Sequence, residues 1–212
     1  MCPVAPERPA VGRGWIPVTA AVVPGLLFIA LTVFVLNGGM FSFDVDLLLR
    51  LHETEAAALD RTAIIVSDVG DPVIIAGVTT VFAALLWFSR YRLRTLFVFV
   101  SVGGISAFNY FVRPFLGRAR PELWVSPTTK TSFGFPSGHA ITSMSLMLAL
   151  ILVAWPTRWR WPALVLGTGF VLATGWARLY LGVHYPSDIV GGWLIAVAGT
   201  MAVYVVLRPH FR

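Results

Sequence analysis

Six apolar runs mark the chain, at about 15–37, 72–88, 95–112, 138–155, 162–180 and 187–207. Each comes near the roughly 17–25 residues that a helix needs to cross a bilayer. The pattern predicts an all-α, polytopic membrane protein, with six transmembrane helices in one bundle and 1–212 forming a single membrane-embedded domain. The first run follows Arg8 and Arg13 and is longer than the apolar region of a signal peptide. It ends in Asn37-Gly38-Gly39 without a small-residue cleavage site, so an uncleaved first helix is expected behind a short tail, 1–14. Between the first two runs, 41–71 mixes Phe41, Phe43, Leu47, Leu48, Leu49 and Leu51 with charges, the composition of an amphipathic segment lying on the outer surface.

Composition agrees with a lipid environment, since 57% of residues are hydrophobic and 12% charged. A net charge of +6 does not imply a nucleic-acid partner, because the basic residues sit between apolar runs and are not gathered on one solvated face. Cys2 is the single cysteine, which excludes an internal disulfide and makes redox chemistry an unexpected function. His52-Glu53 fails the His-Glu-x-x-His metal pattern because position 56 is Ala. The paired and scattered glycines at 103, 104, 167, 169, 191, 192 and 199 are read as close-packing positions between helices.

Basic residues in short loops accumulate on the cytoplasmic side. Arg8, Arg13, Arg90, Arg92, Arg94, Arg158, Arg160, Arg208 and Arg212 all fall on one side of a six-span chain. Asp44, Asp46, Glu53, Glu55, Asp60, Asp68, Asp71, Glu122 and Asp188 fall on the other. Both termini are therefore expected in the cytoplasm of a multi-pass cell-membrane protein. Arg50, Arg61, Arg113, Arg118, Arg120, Lys130 and Arg178 break the rule, and several of them read as functional.

Three outward-facing segments share one chemistry. Arg113-Pro-Phe-Leu-Gly-Arg-Ala-Arg120-Pro121 is a shape-restricted loop whose guanidinium forks suit a phosphate. Phe135-Pro136-Ser137-Gly138-His139 opens the fourth run as a helix start, where free N–H groups and the helix dipole favour an anion. Gly138 permits close backbone approach, the Ser137 hydroxyl can donate, and His139 stands at the rim. Arg178-Leu-Tyr-Leu-Gly-Val-His184-Tyr-Pro-Ser-Asp188 leads into the sixth run. His184 and Asp188 are four apart, so the carboxylate can hold one imidazole N–H and leave the other nitrogen as a nucleophile. Loop charges alone place all three segments on the same side, as a cationic pocket with a nucleophile and an acid.

These residues resemble the type 2 phosphatidic acid phosphatase (PAP2) family, whose motifs are K-x6-R-P, P-S-G-H and S-R-x5-H-x3-D. The chain carries Arg113-x6-Arg120-Pro121, Pro136-Ser137-Gly138-His139 and Ala177-Arg178-x5-His184-x3-Asp188, with Arg113 for the lysine and Ala177 for the serine. The resemblance covers roughly 60–207. It implies a metal-independent, cofactor-free lipid phosphatase acting at the extracytoplasmic face of the bilayer. His184 would attack phosphorus to give a phosphohistidine, and Asp188 would orient it. His139 would protonate the leaving oxygen and then activate water, while Arg113, Arg120, Arg178, Ser137 and Gly138 would hold the phosphate. Polyprenyl pyrophosphate, phosphatidylglycerophosphate, phosphatidic acid and lipid A phosphate all suit that placement. An anion transporter or a lipid phosphotransferase could use the same pocket. The related vanadium haloperoxidases are soluble, which six spans disfavour. Oligomeric state is left open.

Overall fold

The computed structural model describes residues 15–124, 126 and 132–208, and among these every regular element is helical. The 1–14 tail lies outside the described residues, as do Cys2 and Lys130. Nine α-helices follow in order: α1 Ile16–Leu36, α2 Ser42–His52, α3 Ala57–Val69, α4 Pro72–Phe88, α5 Arg92–Phe99, α6 Ile105–Leu116, α7 Gly138–Ala154, α8 Arg160–Tyr180 and α9 Pro186–Leu207. A π-helical turn, Val100–Gly104, joins α5 to α6, making one long helix of Arg92–Leu116.

Local sequence explains the helix ends. Prolines occupy the first turns of α1, α4 and α9, where a missing N–H costs nothing. Asp71 caps α4 by accepting from Val73 N, and Ser137 caps α7 by accepting from Ala140 N. Gly117, at φ +59°, ends α6 in the left-handed conformation that glycine adopts without strain, which turns the chain sharply from Arg113 towards Arg118.

All six apolar runs are helical, but they differ as membrane spans. α1, Arg92–Leu116, α8 and α9 are each long and apolar enough to cross a bilayer. α3 and α4 qualify together as a pair bent by 47°, and α7 is shorter at 17 residues. The third run extends past 95–112 at both ends, because Arg92, Arg94 and Arg113 continue the helix as charged termini. Large apolar side chains face outward and charged groups lie inside beside the apolar core: Phe88, Phe115 and Leu166 are exposed, whereas Asp44, Arg178, His184 and Asp188 are buried. That inversion fits lipid as the surrounding solvent.

α7 is the centre, packed against α8 and α9, and α1 lies along α9. In lipid, helix association depends on close packing more than on apolar burial. A Cβ at Gly192 would meet Ala140 Cβ at 2.8 Å and the Ser137 carbonyl at 2.9 Å, and one at Gly191 would meet Phe135 at 2.5 Å. Gly167 and Gly199 also pack closely on neighbouring helices. Gly103 and Gly169 do not: they face outward with nothing within 4 Å, and Gly104 touches only Val100 of the preceding turn. The 41–71 segment is amphipathic as expected, yet it is two helices, and it contributes buried polar groups to the interior.

Candidate functional site

Arg113, Arg120, Ser137, Gly138, His139, Arg178, His184 and Asp188 meet at one end of the bundle. The end of α6, the starts of α7 and α9, and the end of α8 supply them. Ser137 N donates to the Asp188 carbonyl at 3.1 Å, joining the first turn of α7 to that of α9. A Cβ added at Gly138 would lie 3.7 Å from both Arg113 Nη1 and Asn109 Nδ2. Asn109 and Arg113 are four apart and so share a face of α6.

His184 is 1% exposed. Arg120 Nη1 lies 3.0 Å from its Nε2. A guanidinium has no acceptor, so Nε2 is the acceptor and carries the lone pair. The ring proton then belongs to Nδ1, which faces Asp188 Oδ2 at 3.4 Å. Burial, followed by the positive charges of Arg178, Arg120 and Arg113, holds His184 well below the ordinary imidazole range. The geometry therefore favours a neutral imidazole whose Nε2 electron pair faces Arg120.

The arginines are held differently. Arg113 Nε donates to the Phe133 carbonyl at 2.9 Å and its Nη2 to Ser132 Oγ. Arg120 donates to the carbonyls of Ser132 and Val183, both at 2.6 Å. Burial and the charge of Arg113 lower Arg120 to about 10, which leaves it cationic at neutral pH. Arg178 is almost fully buried; Nη1 donates to Ser67 Oγ at 2.6 Å, while Nε and Nη2 have no partner among the described residues. Buried guanidinium donors are costly to leave unpaired, so the pair points to an anion. Ser137 is fully buried, and because its Oγ accepts from Ala140 N, the hydroxyl proton remains for donation.

Several groups at this site escape the sequence motifs. Arg118 donates from Nη1 to Asp188 Oδ1 at 2.7 Å and to Ser187 Oγ at 2.7 Å, and from Nη2 to Asp44 Oδ2 at 3.2 Å. Asp44, on α2, also accepts from Ser187 N at 2.9 Å and Ser187 Oγ at 2.6 Å. Ser67 of α3 holds Arg178, and Asp71 at the start of α4 faces His139, Oδ2 to Nε2, at 3.7 Å. The signal for Asp44 was an acid on the apolar face of an amphipathic helix, in register with Leu48 and Leu51. An open cavity of about 530 Å³ lies elsewhere, between Phe82, Tyr91, Leu150, Trp159 and Leu166, and its lining holds no acid–base pair.

Comparison with known proteins accords with this geometry. The chain is 28% identical to an undecaprenyl-diphosphatase of Sulfolobus acidocaldarius over 178 residues, covering 80% of this chain and 82% of the relative. It is 35% identical to a lipid A 4'-phosphatase of Bacteroides thetaiotaomicron over 108 residues, 46% of each chain. In three dimensions it resembles the crystal structure of a transmembrane PAP2-type phosphatidylglycerolphosphate phosphatase from Bacillus subtilis. That match has a TM-score of 0.77 and 17% identity, and it covers 92% of this chain and 98% of that one. The model of the PAP2 superfamily matches residues 94–212, more than half of the sequence and all three motifs, and this all-helical membrane protein belongs to that superfamily.

Proposed function

We propose that the protein is a metal-independent phosphatase that hydrolyses the phosphate or pyrophosphate ester of a membrane lipid through a phosphohistidine at His184. The observation that carries this reading is the pair of unpartnered donors on buried Arg178, set beside a neutral His184 whose lone pair is already defined by Arg120. A phosphate that satisfies Arg178 and draws the Arg120 donors to its oxygens releases Nε2 for attack. Three guanidiniums then stabilise the charge of the transition state, the task that a divalent cation performs in other phosphoryl-transfer sites.

His184 Nε2 bonds to phosphorus while the bond from phosphorus to the lipid oxygen breaks, and the His139 imidazolium gives its proton to that departing oxygen. The Nδ1 proton stays on His184, and Asp188 offsets the positive charge on the phosphorylated ring. Water then attacks phosphorus, losing a proton to the neutral His139, and the N–P bond breaks to release inorganic phosphate.

The relatives' names suggest a polyprenyl pyrophosphate, phosphatidylglycerophosphate or lipid A 4'-phosphate, and the family resemblance adds phosphatidic acid. Six spans, formed by α1, α4, Arg92–Leu116, α7, α8 and α9, would put the site at the extracytoplasmic face with both termini in the cytoplasm. Support comes from the opposite end of the bundle, where Arg92 lies 3.8 Å over Trp87 and Arg94 4.8 Å over Tyr91, pairs that suit a basic, aromatic interface. The test is chemical trapping. Purified protein given a ³²P-labelled lipid phosphate in EDTA should form an acid-labile, base-stable phosphoenzyme that is lost in His184→Gln. Phosphate release without any trapped label, or activity that returns only with Mg²⁺, would refute the mechanism. Binding without release would favour an anion carrier.

A further inference from the structure

We propose that Asp71 is the positioning carboxylate of His139, forming a second histidine–carboxylate pair across the pocket from His184–Asp188; the inference rests on the phosphohistidine reading above. Asp71 lies outside the residues matched by the family model. Its placement has three supports. The 47° bend between α3 and α4 falls at Gly70 and Asp71 and turns the start of α4 towards the site. The first turns of α4 and α7 abut, since Pro72 Cγ would lie 3.8 Å from a Cβ at Gly138. Asp71 Oδ1 is fixed by the cap to Val73 N at 2.9 Å, and that leaves Oδ2 directed at His139 Nε2, 3.7 Å away. Hydrogen bonds of this kind commonly shorten when substrate closes an active site.

The electrostatic need is specific. The pocket that His139 joins holds Arg113 from α6, Arg120 from the loop and Arg178 from α8, whose charges act on His184, the His184–Asp188 pair at the start of α9, and Asp68 and Asp71, which act on Arg178. Asp188 already serves Arg118, Tyr185 N and His184. His139 must be an imidazolium before the lipid oxygen departs, and must become one again as it takes a proton from water. The cationic pocket opposes that charge, and Asp71, with Oδ2 3.7 Å from His139 Nε2, is a carboxylate placed to offset it. The assignment also explains an asymmetry. The Asp188 side chain is fully buried, as suits a permanent orienter, whereas that of Asp71 is 32% exposed and can follow a charge that appears and disappears with turnover.

The same residue caps α4, so the test must separate the two roles. Asn and Ser cap helices about as well as Asp and carry no charge. Full-length Asp71→Asn and Asp71→Ser, purified in detergent, are compared with wild type on an alkyl lipid monophosphate and on an aryl phosphate. The expected result is a loss of about 10-fold or more in phosphorylation rate on the alkyl ester, where acid assistance matters most, with little loss on the aryl ester. The alkaline limb of kcat/KM on the lipid should move to lower pH. Asp71→Asn added to His139→Gln should cost nothing beyond His139→Gln alone, because Asp71 acts through that ring. Equal losses on both substrates with an unmoved alkaline limb, or additive losses in the double variant, would overturn the assignment. Should His139→Gln itself lose equally on both substrates, the acid role of His139 fails, and the inference falls with the reading beneath it.

Discussion

Arg118 Nη1 lies 2.7 Å from Asp188 Oδ1, while Nη2 of the same guanidinium lies 3.2 Å from Asp44 Oδ2. One cation thus joins the carboxylate beside His184 to a carboxylate on α2, near the other end of the sequence. Both acids are fully buried and the arginine nearly so, at 9%. Removing one partner of such a group leaves the others charged and unsatisfied. Arg118→Met should therefore destabilise the protein by about 3–5 kcal/mol, since two stranded carboxylates cost more than an exposed ion pair is worth. The measurement is thermal unfolding in detergent. Asp44→Asn strands fewer charges and should cost less, and an Arg118→Met protein that melts with the wild type would show that the network is not structural.

Gly138 opens α7 and Gly192, on α9, packs against the same helix start, but they predict different phenotypes. A Cβ at Gly138 would meet protein atoms only at ordinary contact distance, 3.7 Å and beyond. The fold alone does not demand glycine there; a phosphate resting on the helix start would. Gly138→Ala should keep the wild-type melting temperature while vanadate and phosphate inhibit more weakly. Gly192→Ala drives a methyl group into Ala140 and the Ser137 carbonyl at under 3 Å, so it should lower the melting temperature by separating α7 from α9. Identical behaviour of the two variants would remove the case for an anion at Gly138.

How much of this was legible in sequence follows from which interactions are local. The apolar runs and helix starts at Asp71-Pro72, Ser137-Gly138 and Tyr185-Pro186 depend on neighbouring residues, and all appear as helices or caps. The eight motif residues gather at one end of the bundle, and their sequence signal was local: the helix-start register of His184 and Asp188 and the Pro-Ser-Gly-His start of α7. Asp44 and Asp71 carry no such motif signal and fall within the segment expected to lie on the outer surface. Their partners are more than 60 residues away, Arg118 and Ser187 for the one and His139 for the other, and no local spacing encodes those pairings. The π turn at Val100–Gly104 was also hidden, since a one-residue change in helical register leaves hydropathy unaltered.

The environment of His184 sets a pH prediction. Its folded-state pKa is depressed well below 6.5 by burial and three arginines, whereas in the unfolded chain it returns to about 6.5. The free enzyme therefore keeps a neutral nucleophile below pH 6.5. The acid limb of kcat/KM, corrected for ionisation of the substrate phosphate, should lie at a lower pH than that of an ordinary histidine. Stability runs the same way: below 6.5 the unfolded state binds a proton that the folded state refuses, so the contribution of His184 is present above 6.5 and lost as pH falls towards the folded value. Melting temperature should decline with acidification through that window, and less steeply in His184→Gln. An acid limb centred at 6.5 or above would contradict the geometry around Nε2.

Orientation in the membrane is the last prediction, and it joins the site to its substrate. Arg92 and Arg94 stand in the first turn of α5, and Arg158 and Arg160 at the start of α8, at the end of the bundle opposite His139 and His184. Short basic loops are retained in the cytoplasm, which would put the catalytic end outside. Of the cationic exceptions to that rule, Arg50 and Arg61 are exposed on α2 and α3, whereas Arg113, Arg118, Arg120 and Arg178 are engaged by the site or its supporting network. Glu122 is exposed on the loop beside them, and Arg92 is exposed at the other end. In a Cys2→Ser background, Glu122→Cys should react with a membrane-impermeant maleimide in intact cells, and Arg92→Cys should react only after the membrane is opened. The reverse pattern would turn the catalytic end to the cytoplasm, and the lipid would then have to be one that presents its phosphate on the inner leaflet.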